Sequence, residues 1–330
     1  MRILIIGGTK FLGPHVVEAA RRRGHALTLF NRGRSSGAAI DGVTGVAGDR
    51  ATDIDKVSGQ RWDAVIDTCG FVPRVVRLSL DALRARTKRY AFISSISAYA
   101  EPFGGNFDER EPVAMLADPA VEEVTNETYG ALKALCEEEV RALMGDGALI
   151  VRPGLICGPL DPTDRFTYWP HRFAQGGDVL VPGVPEKPIS IIDVRDLAEW
   201  IVHATENALD GTFNVSGEYG RATMGDVVSA CLAASAAQAR PVWVAESFLI
   251  ERNVAPWTEL PLWIPGEEDS LLRASSARAV AAGLRRRDVG ETVRATLAWT
   301  KERGLDRKLN AGLTRERETE LLAEWGKNRG

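Results

Sequence analysis

Cysteine and histidine are scarce, four of each among 330 residues. Cys69, Cys136, Cys157 and Cys231 form no Cys-x-x-Cys pair, and the four histidines are as scattered. A zinc site or a disulfide framework needs such spacing, so no metal is expected, and a reducing compartment is. Long hydrophobic runs are also missing. Arg2 and Ile3–Ile6 are cut off by Gly7-Gly8, too short for a signal-peptide core, and nothing approaches the ~18 apolar residues of a membrane span. Nor is there an excess of positive charge. The 41 Lys and Arg against 45 Asp and Glu give a formal net charge of −4, which argues against general nucleic-acid or membrane-surface binding. No internal repeat or low-complexity stretch occurs. What remains is a globular protein expected in the cytoplasm, long enough for one large core or two modest ones.

The first half alternates short apolar runs with helical patterns, the mark of a parallel sheet with crossover helices. Runs suited to strands buried on both faces lie at Ile3–Ile6, Ala26–Phe30, Val43–Ala47, Ala64–Asp67, Tyr90–Ser94 and Leu149–Arg152. Helices are expected at Pro14–Arg23, Val75–Arg86 and Asn126–Leu143, with an irregular Gly-, Pro- and acid-rich insertion at Phe103–Glu123. The fold expected is α/β, a Rossmann-type doubly wound parallel sheet with a smaller C-terminal substrate domain. Residues 1–165 would form the dinucleotide domain, with 188–219 returning to it; 166–187 and 220–330 would form the second domain and a helical tail.

Gly7-Gly8-Thr9-Lys10-Phe11-Leu12-Gly13 follows the first strand and opens the first helix. Glycines there let the backbone approach a pyrophosphate, and the helix N-terminus supplies amide donors. Some twenty residues on, the second strand ends in Asn31-Arg32-Gly33-Arg34. NAD sites usually place an acid at this point, whereas arginine accommodates a 2′-phosphate. With no acid at Asn31, with Arg32 and Arg34 following, and with Lys10 in the loop, NADP is expected over NAD. Asp49, after the third strand, suits either an adenine contact or a plain turn.

Tyr129 and Lys133 lie four apart on the expected long helix, so they share one face. An ammonium near a phenol favours the phenolate and draws its pKa toward the working pH. The tyrosine could then exchange a proton with a carbinol while a nicotinamide exchanges hydride. Ser94-Ser95-Ile96-Ser97 leaves the fifth strand at its carboxyl end, where ligands bind in doubly wound sheets; Ser95 and Ser97 could hold a substrate oxygen. Tyr168, Trp169 and Arg172, on the segment entering the second domain, are further candidates for substrate contact, although aromatic residues there are more often core. Asp196, before Leu-Ala-Glu-Trp, suits a helix N-cap.

Together these features resemble the extended or atypical short-chain dehydrogenase/reductase superfamily, also called the NAD-dependent epimerase/dehydratase family. The resemblance rests on the Gly7–Gly13 loop, Ser94-Ser95, Tyr129-x-x-x-Lys133, Arg152-Pro153-Gly154 with Gly158-Pro159, and Ile192–Ala198, in the family's order up to about residue 217. It implies Ser95, Tyr129 and Lys133 as the catalytic set, with Lys133 also on the nicotinamide ribose. It further implies a dinucleotide lined by Gly7, Thr9, Lys10, Phe11, Leu12, Gly13, Asn31, Arg32, Arg34, Asp49, Cys69, Tyr129, Lys133 and Pro153, and a homodimer on helices like Val75–Arg86 and Asn126–Leu143. Two positions depart from the nucleotide-sugar pattern. Where those epimerases usually carry Asn and Arg, this chain has Leu155 and Ile189. Lys10 replaces the middle loop glycine, as in a branch that also contains chloroplast stem-loop RNA-binding proteins. The sequence therefore favours an NAD(P)-dependent oxidoreductase acting on a small carbonyl or alcohol. The alternatives are a sugar-nucleotide epimerase or dehydratase, and a non-catalytic dinucleotide- or RNA-binding protein on the same fold.

Overall fold

The computed structural model describes residues 1–33, 40–100, 105–266 and 270–327. Ile3, Leu4, Ile5 and Ile6 are almost wholly buried and lie on an interior strand of a seven-stranded sheet. In chain order its strands are β1 Arg2–Ile6, β2 Ala26–Asn31, β3 Val43–Ala47, β4 Ala64–Asp67, β5 Tyr90–Ile93, β6 Ala148–Pro153 and β7 Gly211–Val215. Their spatial order is β7-β6-β5-β4-β1-β2-β3. Every pairing is parallel, with Leu4 opposite Thr28 on one side and Val65 on the other. The order reverses between β1 and β4, the crevice at which doubly wound sheets take ligands. β3 at the edge is largely exposed, unlike the fully buried β4, β5 and β6.

Four helices frame this sheet: α1 Leu12–Arg22, α2 Pro73–Leu83, α3 Asn126–Met144 and α4 Val194–Glu206. Proline opens α2, where its missing N–H costs nothing. A capping box between Thr125 and Thr128 starts α3, and Gly145, at φ 52°, follows its end. The apolar face of α3, with Cys136 and Val140, joins Val76, Leu80, Phe92 and Ile150 in one core. α4 lies along α1, with Arg22 paired to Glu199 and Arg23 to Glu206 at 2.9 and 2.6 Å. α4 begins at Val194, so Asp196 sits inside its first turn instead of at the expected cap.

The chain divides into two compact units. The first contains Met1–Leu155, Val194–Ser216 and Arg273–Arg285; the second contains Ile156–Asp193, Gly217–Leu272 and Arg286–Gly330. This differs from the expected boundaries: residues 156–165, 188–193 and 217–219 go to the second unit, and a third segment, Arg273–Arg285, joins the first. Backbone bonds explain that third segment. Phe107 N donates to Arg273 O and Ser275 N to Phe107 O, at 3.3 and 2.7 Å, so the irregular insertion recruits a late piece of chain.

In the second unit Ala239–Val244 pairs parallel to Gly177–Pro182, and Ala222–Thr223 antiparallel to Pro188–Ile189. Helices Tyr168–Ala174, Met224–Ala234 and Val289–Glu302 pack on one another. No helix among the described residues is long and apolar enough to cross a membrane, and no described group of three His, Cys, Asp or Glu could hold a metal.

Candidate active site

The β1–α1 turn is built for close backbone approach. Gly7 and Gly8 have φ of 96° and 79°, a region side chains rarely adopt. A Cβ on Gly13 would stand 2.5 Å from the Gly8 backbone, so the third glycine is required by packing. Thr68, beyond β4, fastens the turn: its Oγ1 accepts from Gly8 N and donates to Ile6 O, at 3.1 and 3.0 Å. Phe11, at φ 42°, precedes α1 without a side-chain cap, and the first turn of α1 has no acid. Uncapped amides beside a glycine turn fit a pyrophosphate, so the dinucleotide suits the residues present.

At the end of β2 the Asn31 side chain turns back, its Oδ1 accepting from Gly33 N at 2.9 Å. Arg32 is exposed, and Arg34 lies outside the described residues. Of the two roles open to Asp49, the structure displays the turn: Oδ1 accepts from Ala51 N at 2.9 Å, and its own N donates to Asp53 at 2.8 Å.

Lys133 is buried, and its ammonium donates to Gly70 O and Ile93 O, both at 2.6 Å. Those carbonyls follow β4 and end β5, so α3 is tied to the carboxyl edge of the sheet on the β4 side of the switch point. Burial pushes the Lys133 pKa down to about 8, against the opposing pull of Cys136, Asp67 and Glu137. The Phe92 ring, 4.3 Å from Nζ, offers its π face. Tyr129, half-buried, stands one turn earlier on the same helix. Gly130 between them explains how close the helix comes: a Cβ there would collide with the Ser97 carbonyl. That contact presses α3 onto the turn holding Ser95 and Ser97. Ser95 Oγ accepts from Ser97 N at 3.0 Å, which caps the single turn Ile96–Ala98.

Cys69 and Pro153 also lie at this edge, beyond β4 and at the end of β6. Burial pushes the Cys69 thiol up to about 11, so it is no nucleophile at neutral pH.

The expected substrate residues of the second unit are a correction. Tyr168, Trp169 and Arg172 are only 2, 0 and 1 % exposed. Trp169 Nε1 donates to Pro261 O at 3.0 Å. Arg172 is consumed by Glu318 at 2.7 Å and by the carbonyls of Gly176 and Asp178 at 2.8 and 2.5 Å. These side chains hold the second unit's core and present no surface to a substrate.

Two buried networks went unread in the sequence. Arg50 grips both Asp67 oxygens at 2.9 and 2.7 Å, and Tyr90 OH donates to the same carboxylate at 2.8 Å. Cys69 N completes it at 3.1 Å, which orders the turn that presents Gly70 O to Lys133. Glu137 binds Ser94 and Arg152 deeper under α3. The signal available was Lys133-x-x-x-Glu137, which continues the spacing of Tyr129 and Lys133 along one helix face.

Comparison with known proteins gives this geometry a family. A model described as the NAD dependent epimerase/dehydratase family matches residues 3–216. Among curated proteins, the chloroplast stem-loop binding protein of 41 kDa b from Arabidopsis thaliana is 28% identical over 236 residues, 66% of this chain and 59% of that protein. The 2'-dehydrokanamycin reductase of Streptomyces kanamyceticus is 31% identical over 163 residues, 47% of this chain and 43% of that one. The chain thus spans about half the length of these curated relatives. Among solved structures, UDP-glucose 4-epimerase of Thermotoga maritima, with UDP-glucose, aligns at TM-score 0.67 and 18% identity, covering 92% of this chain and 99% of that one. The Bordetella bronchiseptica enzyme WbmH, in complex with NAD+, aligns at 0.69 and 17% identity, covering 92% and 99%. The chain is an enzyme of the Rossmann fold and belongs to the NAD-dependent epimerase/dehydratase family.

Proposed function

We propose that the chain oxidises and re-reduces a carbinol of a nucleotide-linked sugar, with its nicotinamide cofactor regenerated in each turnover. The observation that carries this is Lys133, held by Gly70 O and Ile93 O at 2.6 Å with Tyr129 one turn before it. An ammonium has three donors; with two spent on carbonyls, the third would be available to a ribose hydroxyl of a bound dinucleotide. Its charge, in a site of low dielectric, stabilises the Tyr129 phenolate, which takes and returns the carbinol proton. Ser95 Oγ, already an acceptor from Ser97 N, offers its proton to the substrate oxygen. The bound nicotinamide supplies the hydride acceptor and donor. Family membership and the neighbours named for UDP-sugars support this reading over the small-carbonyl oxidoreductase that the sequence alone favours.

A specific observation favours the second reading. Leu155 and the buried Ile189 offer no side-chain donor where the nucleotide-sugar pattern has Asn and Arg, and an unpaired buried diphosphate costs several kcal/mol. The reductase relative, 31% identical, points the same way. One experiment separates the two. The protein is incubated with UDP-, GDP- and dTDP-sugars and substoichiometric cofactor. Isomerised or dehydrated sugar without net reduced cofactor supports the epimerase/dehydratase reading. Stoichiometric consumption of reduced cofactor with a carbonyl compound, and no turnover of any sugar nucleotide, overturns it.

NADP preference belongs to the same proposal, supported by the exposed Arg32 and the missing acid at Asn31. So does a homodimer through α2 and α3, which lie side by side and carry the outward ion pair of Arg77 with Glu139 at 3.0 Å. Sedimentation equilibrium reads that association directly; a single 35.9 kDa species at micromolar concentration refutes it.

A further inference from the structure

Glu137 is fully buried, and four donors converge on it. Ser94 Oγ and Arg152 Nε reach Oε1 at 2.5 and 2.9 Å; Arg152 Nη2 and Arg141 Nη2 reach Oε2 at 2.6 and 2.8 Å. Stability alone is a weak reason for such a group, because a buried ion pair often gives way to apolar residues without loss. Its position suggests another reason. Ile93 and Ser94 are the consecutive residues at which β5 ends. Lys133 takes the Ile93 carbonyl, and Glu137, one turn further along α3, takes the Ser94 hydroxyl. Two rungs of one helix face thus clamp the strand end that leads directly into Ser95. Arg152 ties the same carboxylate to β6 and lays its guanidinium 4.3 Å from the Tyr99 ring.

We propose that Glu137 is a positioning residue for the Tyr129–Lys133 pair: by gripping Ser94 from α3 it holds the end of β5, and with it the Ile93 carbonyl that Lys133 uses, in register with that helix. The proposal rests on the reading of Tyr129 and Lys133 as the working pair. The charged and titratable groups around Lys133 include Cys136 and Glu137 on its own helix, Asp67 and Cys69 at the end of β4, and Arg50 beyond β3, with Arg141 and Arg152 paired to Glu137. Burial, and to a smaller extent Arg50, drive the ammonium toward losing its proton; Cys136, then the carboxylates of Asp67 and Glu137, oppose them. Glu137 is the one carboxylate of this set attached to the helix that carries the pair.

The test needs no substrate. The Lys133 titration is followed by NMR of 13Cε-labelled lysine in the NADP+-loaded protein, with Lys133→Met assigning the signal. Tyrosinate absorbance follows the phenols. Tyr90, Tyr99 and Tyr168 are all shifted upward by burial, and Tyr129→Phe separates the Tyr129 signal from theirs and from that of Tyr219. In Glu137→Gln the Lys133 midpoint is expected to fall by roughly half a unit or more from that of the parent. The Tyr129 midpoint should rise as the ammonium is lost earlier. Glu137→Asp keeps the charge and should fall between the two; it provides the reading if the Gln variant does not fold. Unmoved Lys133 and Tyr129 midpoints in the folded variant overturn the proposal. If Tyr129→Phe removes no early-ionising phenol, the catalytic reading fails instead, and the two failures are told apart.

Discussion

Two helices of this chain carry a tyrosine and a cation at the same four-residue spacing, Tyr129 with Lys133 and Tyr168 with Arg172, and the fold partners their cations differently. On α3 the cation is held by two backbone carbonyls at 2.6 Å, and its tyrosine keeps part of its surface. In the second unit the cation is neutralised by Glu318 at 2.7 Å, and its tyrosine is 2 % exposed. A carbonyl shell leaves an ammonium its charge to act on a neighbouring phenol. A carboxylate shell spends that charge on holding two segments together. The spacing is common to both pairs; the partner of the cation decides what each pair is able to do.

The largest effects should separate the two pairs most sharply. Tyr129→Phe is expected to lower turnover by about two to four orders of magnitude with dinucleotide affinity nearly intact, whereas Tyr168→Phe should leave turnover within about twofold. Steady-state kinetics and calorimetry on both variants decide it; near-normal turnover in the first removes Tyr129 from the mechanism. Arg172→Met should act on the other axis. It leaves Glu318 buried with Arg315 as its remaining ion-pair partner, 2.7 Å away, a loss of about 3–5 kcal/mol of stability. Denaturant unfolding reads that cost, and dinucleotide binding by the folded fraction should be unchanged.

A smaller effect tests why α3 comes so close to Ser95. Helix propensity alone says that Gly130→Ala stabilises by about 0.5–1 kcal/mol. The Ser97 carbonyl in the path of a Cβ says that overpacking costs about 1–3 kcal/mol, and it should win. A Gly130→Ala variant more stable than the parent would show that the helix and the serine turn can separate freely.

The sheet was legible because its strands are short apolar runs with no competing pattern. Ile3–Ile6 and Ala64–Asp67 became β1 and β4 with at most one residue's change at an end. The Tyr129–Lys133 pair could be found because both members lie on one helix. The partners of Lys133 could not, because they are the main-chain oxygens of Gly70 and Ile93, and every residue has one. Arg50 and Asp67 were hidden for a related reason: they are 17 residues apart, and only the β3–β4 topology brings them together. Arg172 was misread because its partner, Glu318, is 146 residues away. An arginine read without its distant carboxylate looks like a binding residue.

The smallest expected effect concerns the far end of the dinucleotide. The Asn31 side chain is already committed to Gly33 N at 2.9 Å, in a turn where Gly33 has φ 65°. It therefore shapes the loop, and Arg32 beside it stands in solvent. An exposed guanidinium pairing with a 2′-phosphate works against water and salt, so its contribution should be about 1 kcal/mol, roughly fivefold in affinity. Arg32→Ala should accordingly weaken NADP+ by that factor and leave NAD+ alone, and the difference should shrink as salt is raised. Asn31→Asp tests the same point from the opposite sign. A carboxylate at the end of β2 should hold the ribose hydroxyls of NAD+ and repel the phosphate of NADP+, although the bond to Gly33 N can still form. Calorimetry of the parent and both variants with each cofactor, at two salt concentrations, gives the answer. NAD+ binding as tight as NADP+ in the parent, or no loss of NADP+ affinity in Arg32→Ala, would show that Arg32 is an ordinary solvated side chain.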